Sequence, residues 1–143
     1  MAKISWKNEY SVGHSLLDLQ HQQMIKIINT LIDHSNASAD SETISDTLAN
    51  MREYANRHFE TEERLLRKYR YLEVEEQHKQ HMYFIKRASE LAVETINQDP
   101  AVARDILDFL GTWWVTHILK WDMKYKNFLL EKVPDLMVPF IRP

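Results

Sequence analysis

The sequence predicts an all-α protein, an antiparallel up-down-up-down four-helix bundle with an N-terminal arm, and three observations carry that expectation. Only two glycines, Gly13 and Gly111, occur in 143 residues, too few for hairpins, phosphate-cradling loops or a dinucleotide-binding sheet. Four long segments carry apolar residues three and four positions apart, the spacing of one helix face. Short polar joints separate these segments, which suits antiparallel neighbours. A hydrophobic fraction of 44% gives a chain of this length a sizeable core, so a single domain over residues 1–143 is expected.

Residues 1–17 have neither a helical nor a strand period, and Trp6, Tyr10, Val12, Leu16 and Leu17 read as anchors of an arm laid on the bundle. The first helix is expected over about 18–35, with Leu19, Met24, Ile27, Ile28, Leu31 and Ile32 as its stripe and His21 among them. After the polar loop Ser35 to Asp40, an Asp40-Ser41 cap opens a second helix over 41–68. One face carries Ile44, Leu48, Met51, Ala55, His58, Glu62 and Leu65, so a histidine and an acid interrupt an apolar stripe. The third helix, over 74–97, aligns Gln77, His81, Phe84, Ala88 and Leu91. A stop, an N-cap and a proline follow in Asn97-Gln98-Asp99-Pro100 and start the fourth helix, over 100–131. Its broad apolar surface includes Ile106, Leu110, Trp113, Trp114, His117, Trp121, Tyr125 and Phe128. The tail 132–143 holds three prolines and reads as irregular.

Composition removes several classes of function. Eighteen basic residues are interspersed with twenty-one acidic ones for a net charge of -3, so nucleic acid is not an expected partner. There is no cysteine, which excludes thiolate zinc sites, cysteine-ligated iron–sulfur clusters and cysteine nucleophiles. Neither a secretory signal nor an apolar run long enough for a bilayer is present, and the reading is a cytoplasmic protein without membrane insertion.

His58 and Glu62 lie four residues apart, slightly more than one helical turn, and so share a face. His21, His81 and His117 each fall on the core-facing stripe of another helix, whereas His14, His34 and His78 fall off the stripes or near loops and read as surface residues. An acid on such a stripe is costly to bury without a positive partner, and a bound cation resolves that cost. Imidazole nitrogens with carboxylate oxygens suit iron, and also manganese, zinc or copper. The set exceeds the needs of one tetrahedral zinc, so two metals sharing carboxylates account for it better.

The segments Asp18-Leu19-Gln20-His21, His58-Phe59-Glu60-Thr61-Glu62-Glu63, His81-Met82-Tyr83-Phe84 and Trp113 to Asp122 resemble, in order and separation, the ligand motifs of the hemerythrin and bacteriohemerythrin family. The resemblance covers about Trp6 to Phe128 and includes Asn29. It implies an oxo- or hydroxo-bridged pair of non-haem irons that reversibly binds molecular oxygen or other small exogenous ligands. One iron would be held by His21 and His58, the other by His81 and His117, with Glu62 and Asp122 bridging. Asp122 enters only through the resemblance, because five residues after His117 is about 140° around an ideal helix. Trp113, Trp114 and Ile118 are the candidates for lining the oxygen pocket.

Two departures stand out. Where the family has a histidine four residues before the one matched by His81, this chain has Gln77, a weak or vacant ligand position, and His78 stands next to it. Where the family commonly has leucine, this chain has Trp114, which would narrow the pocket, keep it dry or simply pack between helices. A nitrogen ligand short, the second iron would take exogenous ligands and oxidise readily, which suits an oxygen or redox sensor better than a long-lived oxygen store. The chain is not expected to be an enzyme beyond weak di-iron oxidase chemistry. The alternatives are an oxygen carrier or store, or a di-iron oxidase or peroxidase. For a ferritin-like oxidase the chain offers only Glu75 with His78 and, more weakly, Asp18 with His21. A scaffold without metal leaves Glu62 and four inward histidines unexplained. The Pro-rich tail suggests a fused or partner signalling domain.

Overall fold

The computed structural model describes residues 3–37, 39–97 and 100–137. The last six tail residues and the Gln98-Asp99 cap expected before the fourth helix fall outside them. The elements are helices α1 (Ser15–Asn36), α2 (Ser41–Lys68), α3 (Val74–Asn97) and α4 (Pro100–His117), a π-helical turn (Ile118–Asp122) and α5 (Met123–Lys132), with short 3-10 turns at Asn8–Tyr10 and Pro134–Leu136. Each helix packs on its neighbour in sequence, and α4 packs back on α1 to close the ring. This is the antiparallel four-helix bundle that the periodicity predicts.

Several boundaries differ from expectation, each for a physical reason. Helix α1 begins at Ser15 because His14 caps it: the ring accepts from the Leu17 amide, at 3.4 Å. Gly13 just before it has φ 78°, a left-handed conformation that a side chain would strain. Leu16 and Leu19 are not core anchors; they are 47% and 51% exposed. Leu19 sits about 140° around the helix from Met24, off the buried stripe. In the last turns of α2 Leu66 is buried, and Leu65 is only half-buried. The helix expected over 100–131 is interrupted by the π turn, after which Leu129 is buried and Trp121 and Phe128 are half-buried.

Side chains tie the arm to the bundle. Asn29 clamps the Ile4 backbone twice, accepting from its N–H and donating to its carbonyl, both at 2.8 Å. Asp18 is fully buried and accepts from the Ser11 hydroxyl at 2.5 Å and the Val12 amide at 2.7 Å. Lys126 reaches from α5 to the Ser11 carbonyl at 3.0 Å.

The core lies in two apolar parts. One gathers Met24 and Ile28, Ala55 and Phe59, Phe84 and Ala88, and Leu110 and Trp114. The other gathers Val12, Leu17, Leu66, Tyr71, Tyr125 and Leu129. Along each helix, one turn of polar residues separates the two: His21 on α1, His58 and Glu62 on α2, Gln77 and His81 on α3, His117 and Asp122 on either side of the α4–α5 junction. The fold thus places a polar layer across the bundle between two dry ones.

Candidate metal centre

All seven residues of that layer are buried, none more than 4% exposed. Ligand-capable atoms fall into two groups in which every atom is within 4.8 Å of the others: His21, His58 and Glu62, and Glu62, His81, His117 and Asp122. Glu62 belongs to both. Its Oε2 faces His58 Nε2 at 3.1 Å and His21 Nε2 at 3.3 Å, while Oε1 faces His81 Nε2 at 3.0 Å. Asp122 spans in the same way, with Oδ1 3.1 Å from His117 Nε2 and Oδ2 3.3 Å from His21 Nε2.

The π turn makes the second span work. In π geometry hydrogen bonds run i→i+5 rather than i→i+4, so a residue five positions on returns to the same face. His117 and Asp122 bound such a turn and therefore both point inward. An ideal helix would have turned the aspartate away.

The arrangement fits a metal on its own geometry. Four Nε2 atoms converge on two carboxylates, and His81 Nε2 finds no hydrogen bond although Glu62 is 3.0 Å away. The opposite ring nitrogens of two histidines are fixed by outer partners, His58 Nδ1 by Gln20 at 2.7 Å and His81 Nδ1 by Glu63 at 2.8 Å. Metal-binding imidazoles are oriented in this way, one nitrogen inward and the other held from behind. Ring stacking fixes His81 a second time and His117 as well: Phe59 lies on His81 with centroids 3.9 Å apart, and Trp113 lies on His117 at 4.4 Å.

Gln77 occupies the position that the resemblance gives to a histidine. It is 1% exposed, and its Nε2 lies 2.5 Å from Asp122 Oδ1 and 3.2 Å from both Glu62 Oε1 and His117 Nε2. His78 points outward instead, its side chain 41% exposed and bonded to Glu63 at 2.6 Å, so α3 keeps the register that puts Gln77 inside. Trp114 and Ile118 are buried beside the layer. The indole meets the rings of His21 and His58 at 5.9 and 5.7 Å, while Trp113 borders the other group through His117.

Three further residues escape sequence reading. Tyr125 donates to Glu62 Oε2 at 2.8 Å from the far side of the layer. Its place on an apolar stripe made it look like core, and nothing in the spacing points its hydroxyl at an acid. Gln20 and Glu63 each follow or precede a candidate ligand by one residue, which is the only signal they give. The acids of a ferritin-like pair do not join the layer. Glu75 is paired with Arg67 at the surface, at 2.5 Å, and Asp18 is engaged with the arm.

The charges balance unevenly. Burial pushes His58 down to about 4, with the fields of His21 and His81 adding to it against Glu62. For His81 burial acts the same way, but the adjacent Glu62 carboxylate and the hydrogen bond with Glu63 outweigh it and raise the ring to about 9. His21 is raised too, its burial overcome by Glu62 and Asp122. Burial and the nearby Glu62 charge hold Asp122 well above the usual carboxylate range. At neutral pH this layer therefore holds protons that a cation must displace. Metal uptake is expected to release protons at pH 7 and to weaken by about tenfold per pH unit for each proton displaced as pH falls. A weakly buffered titration with cobalt(II) reads the release directly, and a titration at pH 7 that releases none contradicts this proton inventory.

Comparison with known proteins agrees with the site. The family described as "Hemerythrin HHE cation binding domain" matches residues 12–129. A bacteriohemerythrin of Clostridium acetobutylicum is 29% identical over 124 residues, 84% of this chain and 96% of that protein. One of Pseudomonas aeruginosa is 26% identical over 137 residues, 96% and 88% of the two. A hemerythrin-like protein of Naegleria gruberi is 29% identical over 126 residues, 87% and 92% of the two. Among solved structures, a hemerythrin point mutant superposes with a TM-score of 0.78 at 24% identity, covering 89% of this chain and 97% of that one, a likeness of fold.

Proposed function

The chain belongs to the hemerythrin family, whose cofactor is a di-iron centre that binds oxygen, and from that premise we propose that it works as an oxygen or redox sensor. In this reading His21 and His58 hold one iron, His81 and His117 the other, and Glu62 and Asp122 are shared between them. Support comes from the two carboxylates, each of which faces imidazoles of both groups. When bound, the irons supply reversible binding of dioxygen. The chain's own residues do the rest: the two apolar clusters exclude water, Gln20 and Glu63 aim His58 and His81, and Tyr125 holds Glu62 in place.

The observation that carries the sensor reading is Gln77, buried where a third imidazole of the second group would stand. With one nitrogen fewer, that iron has at most a weakly held amide oxygen at this position, which small exogenous ligands displace, and the reduced centre oxidises faster than a store of oxygen tolerates. Gln77→His is expected to slow autoxidation by about tenfold or more, the equivalent of at least ~1.4 kcal/mol in the barrier. An unchanged rate, followed optically after admitting air to the reduced protein, would remove the basis for preferring a sensor over a carrier or store. The same spectra, recorded with a reductant present, separate the oxidase or peroxidase alternative, which requires steady turnover. A cytoplasmic location and a signalling partner, fused or separate, belong to this proposal. No described helix is long and apolar enough to cross a membrane.

A further inference from the structure

The two halves of the layer differ in what stands among their ligand atoms. Around His21 and His58 the geometry is already set: Gln20 fixes His58 from behind, and Tyr125 steadies the Glu62 oxygen that both rings face. In the other half the Gln77 amide nitrogen lies within 3.2 Å of Glu62, His117 and Asp122, three of the four residues of that group. An amide nitrogen has no lone pair to offer a cation. This orientation and a metal ion in the second half therefore exclude each other.

Admitting the ion requires the amide to turn about its last torsion and bring Oε1 inward. That oxygen is buried without a hydrogen-bond partner, so the turn breaks nothing on its side. On the nitrogen side it breaks the short bond to Asp122 and the bond to Glu62, the latter donated to a charged carboxylate and hence of the stronger kind. What the turn delivers is a neutral amide oxygen, which suits iron less well than the imidazole that the family places there. Nothing comparable has to move in the first half.

We infer that Gln77 makes metal loading stepwise: the His21–His58 half fills first, and the His81–His117 half fills only at a higher metal concentration. Resting on the di-iron reading, this adds a condition to it. Oxygen binding needs both irons, so the chain answers to oxygen only when the metal supply is sufficient, and Gln77 sets that threshold.

Anaerobic titration of the chelator-stripped 143-residue chain with cobalt(II), followed by calorimetry and by electron paramagnetic resonance, tests this. The expected result is two steps, the second weaker by at least about tenfold, with an uncoupled signal after the first equivalent and a coupled one after the second. Gln77→His should merge the steps, and Gln77→Glu, which has no N–H to turn away, should narrow their separation. Circular dichroism identifies a variant that has not folded, in which case the other decides. A single step of two equivalents in the native protein overturns the inference while leaving the di-iron reading intact, as does a separation that persists in both variants. A protein that takes up no metal overturns both.

Discussion

Glu62→Ala is expected to empty both halves of the centre at once. Its two oxygens face three imidazoles, His21 and His58 on one side and His81 on the other, and it is the residue common to both metal-capable groups. Removing it takes one anionic ligand from each ion. If each loss is equivalent to one charge-assisted contact of about 1.5–3 kcal/mol, the combined affinity for the pair falls by roughly 10²- to 10⁴-fold. Iron per chain after desalting measures it, with Glu62→Gln separating charge from volume, since the amide oxygen can still accept from Tyr125. Folding should survive the loss, because the apolar clusters on either side of the layer do not depend on the carboxylate. Two irons retained in the alanine variant would sink the shared-bridge assignment.

The experiment also bears on how much of the centre was readable in the chain. His21, His58, Glu62, His81 and Gln77 all lie on regular α-helices, where a residue's face follows from its number, and each could be placed by counting from neighbouring apolar residues. Asp122 could not. Its inward aim depends on a π turn that adds one residue to a helical turn, and neither Ile118 nor Leu119 nor Lys120 carries a mark of it. The same turn moved Leu129 into the core and Trp121 partly out of it, so one unforeseen local geometry accounts for both the aspartate and the register errors on the last helix. Tyr125 was hidden for another reason. A tyrosine on an apolar stripe is ordinary core, and only the arrival of Glu62 from another helix turns its hydroxyl into part of the site. The early start of α1 was obscured in turn by a histidine acting as a cap, a task usually given to serine, threonine, asparagine or aspartate.

Trp114→Leu should have the second large effect, and it acts on access rather than on ligation. The indole is 2% exposed and fills the space between His21, His58, Phe59 and Phe84, with ring centroids 5.4–5.9 Å away. Its nitrogen has no hydrogen-bond partner, so the ring acts here as apolar bulk, and shortening it leaves a cavity next to the first half of the centre. A large-to-small change of this kind costs about 2–4 kcal/mol, which in a chain of this size lowers the melting temperature by roughly 5–15 °C. Packing alone would predict that loss of stability and nothing more. If the indole also keeps the His21–His58 side narrow and dry, the new space admits solvent and small anions, and azide association with the loaded protein should accelerate by about tenfold or more. Stopped-flow mixing with azide distinguishes the two roles. A destabilised variant with an unchanged association rate would make Trp114 a packing residue only. A faster rate would assign to this one substitution the entry barrier of the half of the centre that Gln77 does not touch.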